Sequence, residues 1–328
     1  MTAAATGLRR AQRPLLLLGG LALREAGLRA AARVAAATGA RLLCETFPAR
    51  LERGRGIPRV ERLPYFPEQA SDVLSAFDAL VLAGARDPVA FFGYPDTPSR
   101  LAPAGIPVAD LCTGGEDPAA ALEHLAAELD APPQASADTA ELPEAPADGP
   151  INPAAIGALL ARAQPAHAIV VDEGATSSLP YGLVADAAPP HSYLGLTGGA
   201  IGQGLPVAVG AAVACPDRKV IALQADGGGL YTLQALWTQA REGLDVTTLI
   251  CSNRSYRILQ IELLRAGVAE PGANARGLTE LTNPDIDWAG VGRSLGVPSV
   301  RVETVGDLAR ELEPAIAEPG PRLIEMVL

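Results

Sequence analysis

The sequence is poor in aromatic residues: Phe, Trp and Tyr together make up 4% of its 328 residues. It offers no row of rings on which nucleic-acid bases could stack. It also lacks a Lys/Arg block, and its formal net charge is -11 with a pI of about 4.8. Such a surface repels a polyanion, which excludes nucleic-acid partners. Cys44, Cys112, Cys215 and Cys251 stand far apart, with no Cys-x-x-Cys pair. That spacing excludes a zinc knuckle and a dithiol redox motif, and the four read as small buried hydrophobes. No His-Glu-x-x-His helix, Gly-x-Ser-x-Gly elbow or Walker A lysine occurs. The longest apolar run, Leu205 to Cys215, is broken by Pro206 and Gly210 and is too short to span a bilayer. Met1 to Pro14 carries arginines but no continuous apolar stretch ahead of a cleavage site. The chain reads as soluble and cytoplasmic, with no membrane partner.

What is present is a core-forming composition. Hydrophobic residues account for 48% of the chain and charged residues for 19%, which is globular rather than disordered. At roughly 100–200 residues per domain, the length implies two domains. Residues 1–130 alternate strand and helix. Leu15–Leu18, Arg41–Cys44, Asp78–Gly84 and Ile106–Leu111 are apolar strand-like runs, and Arg24–Thr38 and Pro118–Leu129 have helical spacing, with Gly39 as a C-cap. Residues 131–150 are rich in Pro, Ala, Asp and Glu without periodicity, the composition of a linker. Residues 151–328 resume the alternation, from a helix capped by Asn152 to a last strand at Arg322–Val327. The expected fold class is α/β: two doubly wound parallel-sheet domains, Rossmann- or flavodoxin-like.

Chemistry concentrates at two strand ends. Gln224-Ala-Asp-Gly-Gly-Gly-Leu-Tyr231 and Cys251-Ser-Asn-Arg-Ser-Tyr256 each leave the carboxyl end of an expected strand, where open α/β sheets bind ligands. Gly227, Gly228 and Gly229 let backbone N–H groups approach phosphate oxygens. Asp226 and Asn253 are separated by one helix and one strand. Neighbouring strands would bring a carboxylate and an amide oxygen to one hard cation such as Mg²⁺. Taken singly, Asp-Gly after a strand is a common turn, and Asn253 could equally be a helix N-cap or a turn residue.

The pair resembles the thiamine-diphosphate motif, in which Gly-Asp-Gly is followed by a helix, a strand and Asn-Asn. Here Ala225 and Ser252 replace the first Gly and the first Asn. The resemblance implies that Asp226, Asn253 and the Ser255 carbonyl ligate Mg²⁺. It implies that the amides of Gly227 and Gly228 hold the diphosphate and that Tyr256 lies beside it. Asp172-Glu-Gly-Ala-Thr-Ser177 resembles the family's first diphosphate loop, which makes Ala175 and Thr176 candidate contacts. Leu196-Thr-Gly-Gly-Ala-Ile-Gly-Gln-Gly-Leu-Pro206 resembles the loop that grips the aminopyrimidine. On that match the Gly199 carbonyl faces the 4′-amino group and Ile201 is the wedge that bends the cofactor. Read alone, this glycine loop could be close helix–strand packing.

Residues from about Leu8 to Leu129 look like the central domain of acetolactate synthase-like and benzoylformate decarboxylase-like enzymes, on segments such as Glu45–Gly54 and Leu63–Glu68. The resemblance implies decarboxylation or carboligation of a 2-keto acid. In some relatives the central domain binds FAD or a nucleotide. Gly19, Gly20, Gly84 and Arg86 lie at strand ends suited to that, but a structural spacer is the simpler reading and FAD is not favoured. Complete family members add an N-terminal pyrimidine-binding domain whose glutamate activates the cofactor. No segment before Leu15 has the length for it, so the catalytic Glu is expected on another subunit, in a homo- or hetero-oligomer. Glu45 is expected to make a surface or loop contact, and Glu173 to orient the first diphosphate loop. The other class of reading is a truncated or inactive cofactor-binding homologue acting as an interaction protein. Among the histidines, His124 reads as surface and His167 as structural, and His191 as a loop residue that could reach the cofactor. NAD-linked oxidoreduction lacks its glycine fingerprint here.

Overall fold

The computed structural model describes residues 2–112, 115–134 and 140–328. Part of the expected linker, 135–139, lies outside the described residues. The chain divides into two compact units, residues 1–139 and 140–328.

The first unit contains α1 (Thr2–Arg10), β1 (Pro14–Leu18), α2 (Glu25–Thr38), β2 (Arg41–Cys44), β3 (Leu51–Arg53), β4 (Glu61–Arg62), α3 (Pro67–Ser75), β5 (Ala79–Ala83), β6 (Val108–Asp110) and α4 (Pro118–Glu128). A five-stranded parallel sheet runs in the order β4-β2-β1-β5-β6. β1 and β5 are buried along their whole length. They are apolar at every position because a parallel strand covered on both faces has no solvent side. Leu15, Leu17, Leu43, Leu80 and Leu82 pack with Leu63, Ala70 and Leu74 into one core. Gly39 closes α2 in the left-handed conformation, as expected. Five of the few aromatic rings, Phe47, Tyr65, Phe66, Phe91 and Phe92, meet edge-on in one cluster beyond the carboxyl ends of β2 and β4.

The second unit contains α5 (Pro153–Ala163), β7 (Ile169–Glu173), α6 (Leu179–Val184), β8 (His191–Gly195), α7 (Gly204–Ala214), β9 (Val220–Ala225), α8 (Asp226–Gly229), α9 (Ala235–Arg241), β10 (Val246–Ser252), α10 (Arg257–Arg265), α11 (Ala273–Thr279), α12 (Trp288–Ser294), β11 (Ser299–Val302), α13 (Val305–Ala317) and β12 (Arg322–Val327). Its strands run β11-β12-β10-β9-β7-β8, all parallel. Asn152 caps α5, its Oδ1 accepting the Ala155 N–H at 3.0 Å. Two apolar clusters hold the layers. One joins Ile169, Val171, Val220 and Ala222 to Ala208 and Ala212 of α7. The other joins Leu236, Ile250, Trp288, Val297 and Leu323. The chain leaves β7 to form β8 on one side and returns to form β9 on the other. The topological switch point, where such sheets open a crevice, therefore lies between the carboxyl ends of β7 and β9. Both units are doubly wound α/β. Among the described residues no helix is long and apolar enough to cross a membrane.

Candidate functional site

The switch point places the expected loops side by side. Glu173 of β7 pairs with Gln224 of β9, and Ala225 pairs with Cys251 of β10. The segments after Glu173, Ala225 and Ser252 thus leave three consecutive strands at one level.

Asp226 is buried, 1% exposed, at the first position of the single turn α8. Its Oδ1 accepts the Gly227 N–H at 2.8 Å and its Oδ2 accepts the Arg254 N–H at 2.6 Å. The second bond ties the β9 loop to the β10 loop. Burial raises the Asp226 carboxyl to about 6, with the two amide bonds opposing and the buried Glu325 adding to the rise. A carboxylate held out of water and met by neutral backbone donors, one on each oxygen, has lone pairs left for a cation. Asn253 caps no helix. Its Oδ1 accepts the Ser255 N–H at 3.0 Å and the Ser255 Oγ–H at 3.2 Å, a side-chain turn that fixes the loop. The far side of that loop is clamped as well, the Tyr256 N–H donating to the Thr279 carbonyl at 2.8 Å and the Leu281 N–H to the Arg254 carbonyl at 2.7 Å.

The glycines of α8 are used for close approach. A Cβ at Gly227 would lie 2.5 Å from Tyr256 Cε1, so the Tyr256 ring rests directly on that backbone. Ala225 needs no glycine, because its φ of -72° and ψ of 143° are ordinary extended values. Ser252 is the buried last residue of β10, in register with Val327. Neither departure from the motif therefore disturbs the backbone at Asp226 or Asn253. The donor set, one carboxylate and one amide oxygen beside a free-standing loop carbonyl, suits a hard cation that keeps water or phosphate ligands. Among the described residues no group of three or more His, Cys, Asp or Glu forms a metal cluster.

Ala175 and Thr176 form a single 3-10 turn after β7, and Ala175 sits at φ 51°. A left-handed alanine costs roughly 1–2 kcal/mol, so the loop is held there by its surroundings. In the glycine loop, Gly198 and Gly199 are both left-handed, at φ 61° and 63°. Ile201 is 54% exposed, a large aliphatic side chain presented to solvent at the edge of the crevice.

Two sequence expectations change. His191 is no loop residue facing the crevice. It opens β8, is 2% exposed, and is engaged by the Pro189 carbonyl at Nδ1 (2.8 Å) and the Tyr181 hydroxyl at Nε2 (3.1 Å). Glu173 reaches beyond its own loop: its carboxylate accepts the N–H groups of Gly202 (2.5 Å) and Gly204 (2.7 Å). Sequence reading missed this contact, and the only hint was an acidic residue ending a strand. Burial pushes the Cys251 thiol well above its ordinary value, helped by Asp172 and Asp226, so it is an inert core group. In the first unit, Gly19 and Gly84 pack backbone to backbone, and a Cβ on Gly19 would lie 2.6 Å from the Gly84 carbonyl oxygen.

Residues 179–326 match the family model described as thiamine pyrophosphate enzyme, C-terminal TPP binding domain. A Mycobacterium tuberculosis protein named "Putative acetolactate synthase large subunit IlvX" is 48% identical over 324 residues, which are 98% of this chain and 62% of that protein. Benzoylformate decarboxylase of Pseudomonas aeruginosa is 31% identical over 297 residues, 85% of this chain and 53% of the enzyme. Among solved structures, the thiamine diphosphate-dependent 4-hydroxybenzoylformate decarboxylase of Rhodococcus jostii RHA1 superposes with a TM-score of 0.81 at 26% identity, covering 99% of this chain and 63% of that one. The chain spans less than two thirds of the length of each of these relatives.

Proposed function

Since the chain belongs to the thiamine pyrophosphate enzyme family, we propose that its second unit holds the diphosphate end of thiamine diphosphate through Mg²⁺, in an enzyme acting on a 2-keto acid. The observation that carries this reading is Asp226: a buried carboxylate at the switch point, bonded to the loop that presents Asn253. In this reading Asp226, Asn253 and the Ser255 carbonyl ligate the cation. The Gly227 and Gly228 amides, with Ala175 and Thr176, take the diphosphate oxygens, where the start of a helical turn favours negative charge. Tyr256 covers Gly227 and keeps water off the metal loop. Gly199 offers its carbonyl, and Ile201 its side chain, to the ring end of the cofactor. When bound, thiamine diphosphate supplies the carbon nucleophile for a 2-keto acid carbonyl, and Mg²⁺ neutralises diphosphate charge. The residues of this chain bind and orient, while the activating carboxylate comes from a pyrimidine-binding domain. We place that domain on a separate subunit of a homo- or hetero-oligomer, and assign decarboxylation or carboligation to the assembled enzyme. No flavin enters this reading.

The test is calorimetric titration of Mg²⁺ and thiamine diphosphate into the wild type and the Asp226→Ala variant. The variant should lose at least 100-fold in affinity. Wild-type affinity in Asp226→Ala would remove the reading.

A further inference from the structure

The peptide group of Gly202 is held from both sides. Its N–H donates to Glu173 Oε1 at 2.5 Å, and its carbonyl accepts the Thr232 Oγ–H at 2.6 Å. Glu173 ends β7, directly before the loop carrying Ala175 and Thr176. Thr232 follows the Asp226–Gly229 turn by three residues. The glycine loop is thus bolted to both segments expected to hold the diphosphate. The second Glu173 oxygen accepts the Gly204 N–H at 2.7 Å, at the first residue of α7. The carboxylate therefore uses one N–H at the start of α7, that of Gly204, and one from the loop before it, that of Gly202.

The packing around this carboxylate admits no slack. Glu173 is 4% exposed and Gln224 is 1% exposed. A Cβ at Gly204 would meet Gln224 Oε1 at 2.4 Å and Glu173 Oε2 at 2.8 Å, and one at Gly228 would meet Glu173 Oε1 at 2.9 Å. A side chain at Gly204 or Gly228 would have to displace the Glu173 or Gln224 side chain. Gln224 Oε1 has no hydrogen-bond partner among the described residues. The amide side chain accordingly fills space beside Glu173 and leaves the binding of both glycine amides to that carboxylate. The outer part of the loop is held by its own turn, through Thr197 Oγ–H to Gln203 Oε1 at 2.9 Å and Gln203 Nε2–H to the Gly195 carbonyl at 3.0 Å.

We infer that Glu173 and Thr232 are positioning residues that lock the ring-facing glycine loop to the two diphosphate loops, so that they set affinity for the ring end of the cofactor and not for its diphosphate end. The inference rests on the thiamine-diphosphate reading above. A glutamine at 173 presents one acceptor and one donor to two N–H groups, so one amide is released. A valine at 232 keeps the shape and removes the Thr232 hydroxyl that donates to the Gly202 carbonyl.

The experiment uses the full chain with Mg²⁺ and two probes, thiamine diphosphate and inorganic pyrophosphate, on wild type, Glu173→Gln, Thr232→Val and Thr232→Ser. Both Glu173→Gln and Thr232→Val should weaken thiamine diphosphate at least tenfold and leave pyrophosphate within twofold, and Thr232→Ser should restore the wild-type value. In the unliganded chain, amide exchange at Gly202 and Gly204 should accelerate in Glu173→Gln, while β9 amides keep their protection. Equal losses for the two probes, or none for either, in a wild type that binds both would overturn the lock alone. A wild type that binds neither probe would overturn the cofactor reading and the lock with it. Unchanged exchange at Gly202 and Gly204 in Glu173→Gln would also overturn the lock, without any ligand.

Discussion

Burial keeps Asp226 protonated to a higher pH than an ordinary carboxylate, up to about 6. The sign of the consequence follows from linkage. Between roughly pH 4 and 6 the folded chain holds a proton that the unfolded chain has released. The stability this confers is complete below the unfolded value and is lost as pH rises through the folded value. Without ligand, wild type should therefore lose on the order of 2 kcal/mol relative to Asp226→Asn between pH 4 and 7.5, read as the difference in slope of denaturation midpoints against pH. Parallel slopes would show that Asp226 does not titrate in this window. Cation binding runs in the opposite sense, because the metal must displace that proton. Below pH 6 the affinity for Mg²⁺ and diphosphate should fall about tenfold per pH unit. Calorimetry in two buffers of different ionisation enthalpy should register about half a proton released by Asp226 at pH 6 and close to one at pH 5.

At the scale of elements, Lys219 shows how β9 is seated. It is 8% exposed, and its Nζ donates to Asp245 Oδ1 at 2.7 Å and to the carbonyls of Ala315 and Glu318 at 3.1 and 3.2 Å. One ammonium therefore bonds to the open carbonyl end of α13 and fixes the entry to β9, the strand directly before Asp226. Lys219→Met should cost about 1–3 kcal/mol, since it leaves the Asp245 carboxylate and the Glu318 carbonyl without this donor, while the Ala315 carbonyl keeps the Thr247 hydroxyl. Chemical denaturation measures this, and a loss under 1 kcal/mol would contradict it. The long buried strands were legible from sequence because they are apolar or β-branched runs, as in Leu15–Leu18 and Val246–Cys251. The short ones were not. β3 and β4 are two or three residues of mixed polarity, and β8 opens on His-Ser after two prolines. Asp226 and Asn253 could be found because strand ends and glycines mark them. The Glu173 contact could not, because it depends on β7–β9 register and on a loop that is distant in sequence. α10 has no fully buried residue, so its apolar positions gave no face to assign.

At the scale of the whole molecule, the chain resolves into two units, and we propose that residues 131–150 act as the linker between them. Glu141 and Glu144 are both exposed in that stretch. A glutamate-specific protease should cut there first, giving two fragments, and a first cut outside residues 131–150 would contradict the linker. The central claim concerns one place, the crevice between β7 and β9. Mn²⁺ is a hard divalent ion that takes the oxygen ligands of Mg²⁺ and scatters anomalously. Crystals grown with Mn²⁺ and thiamine diphosphate should give a single strong anomalous peak within about 2.0–2.3 Å of Asp226 Oδ, Asn253 Oδ1 and the Ser255 carbonyl oxygen. A well-ordered cofactor with its manganese on other residues, or no peak at Asp226 under saturating conditions, would contradict the assignment.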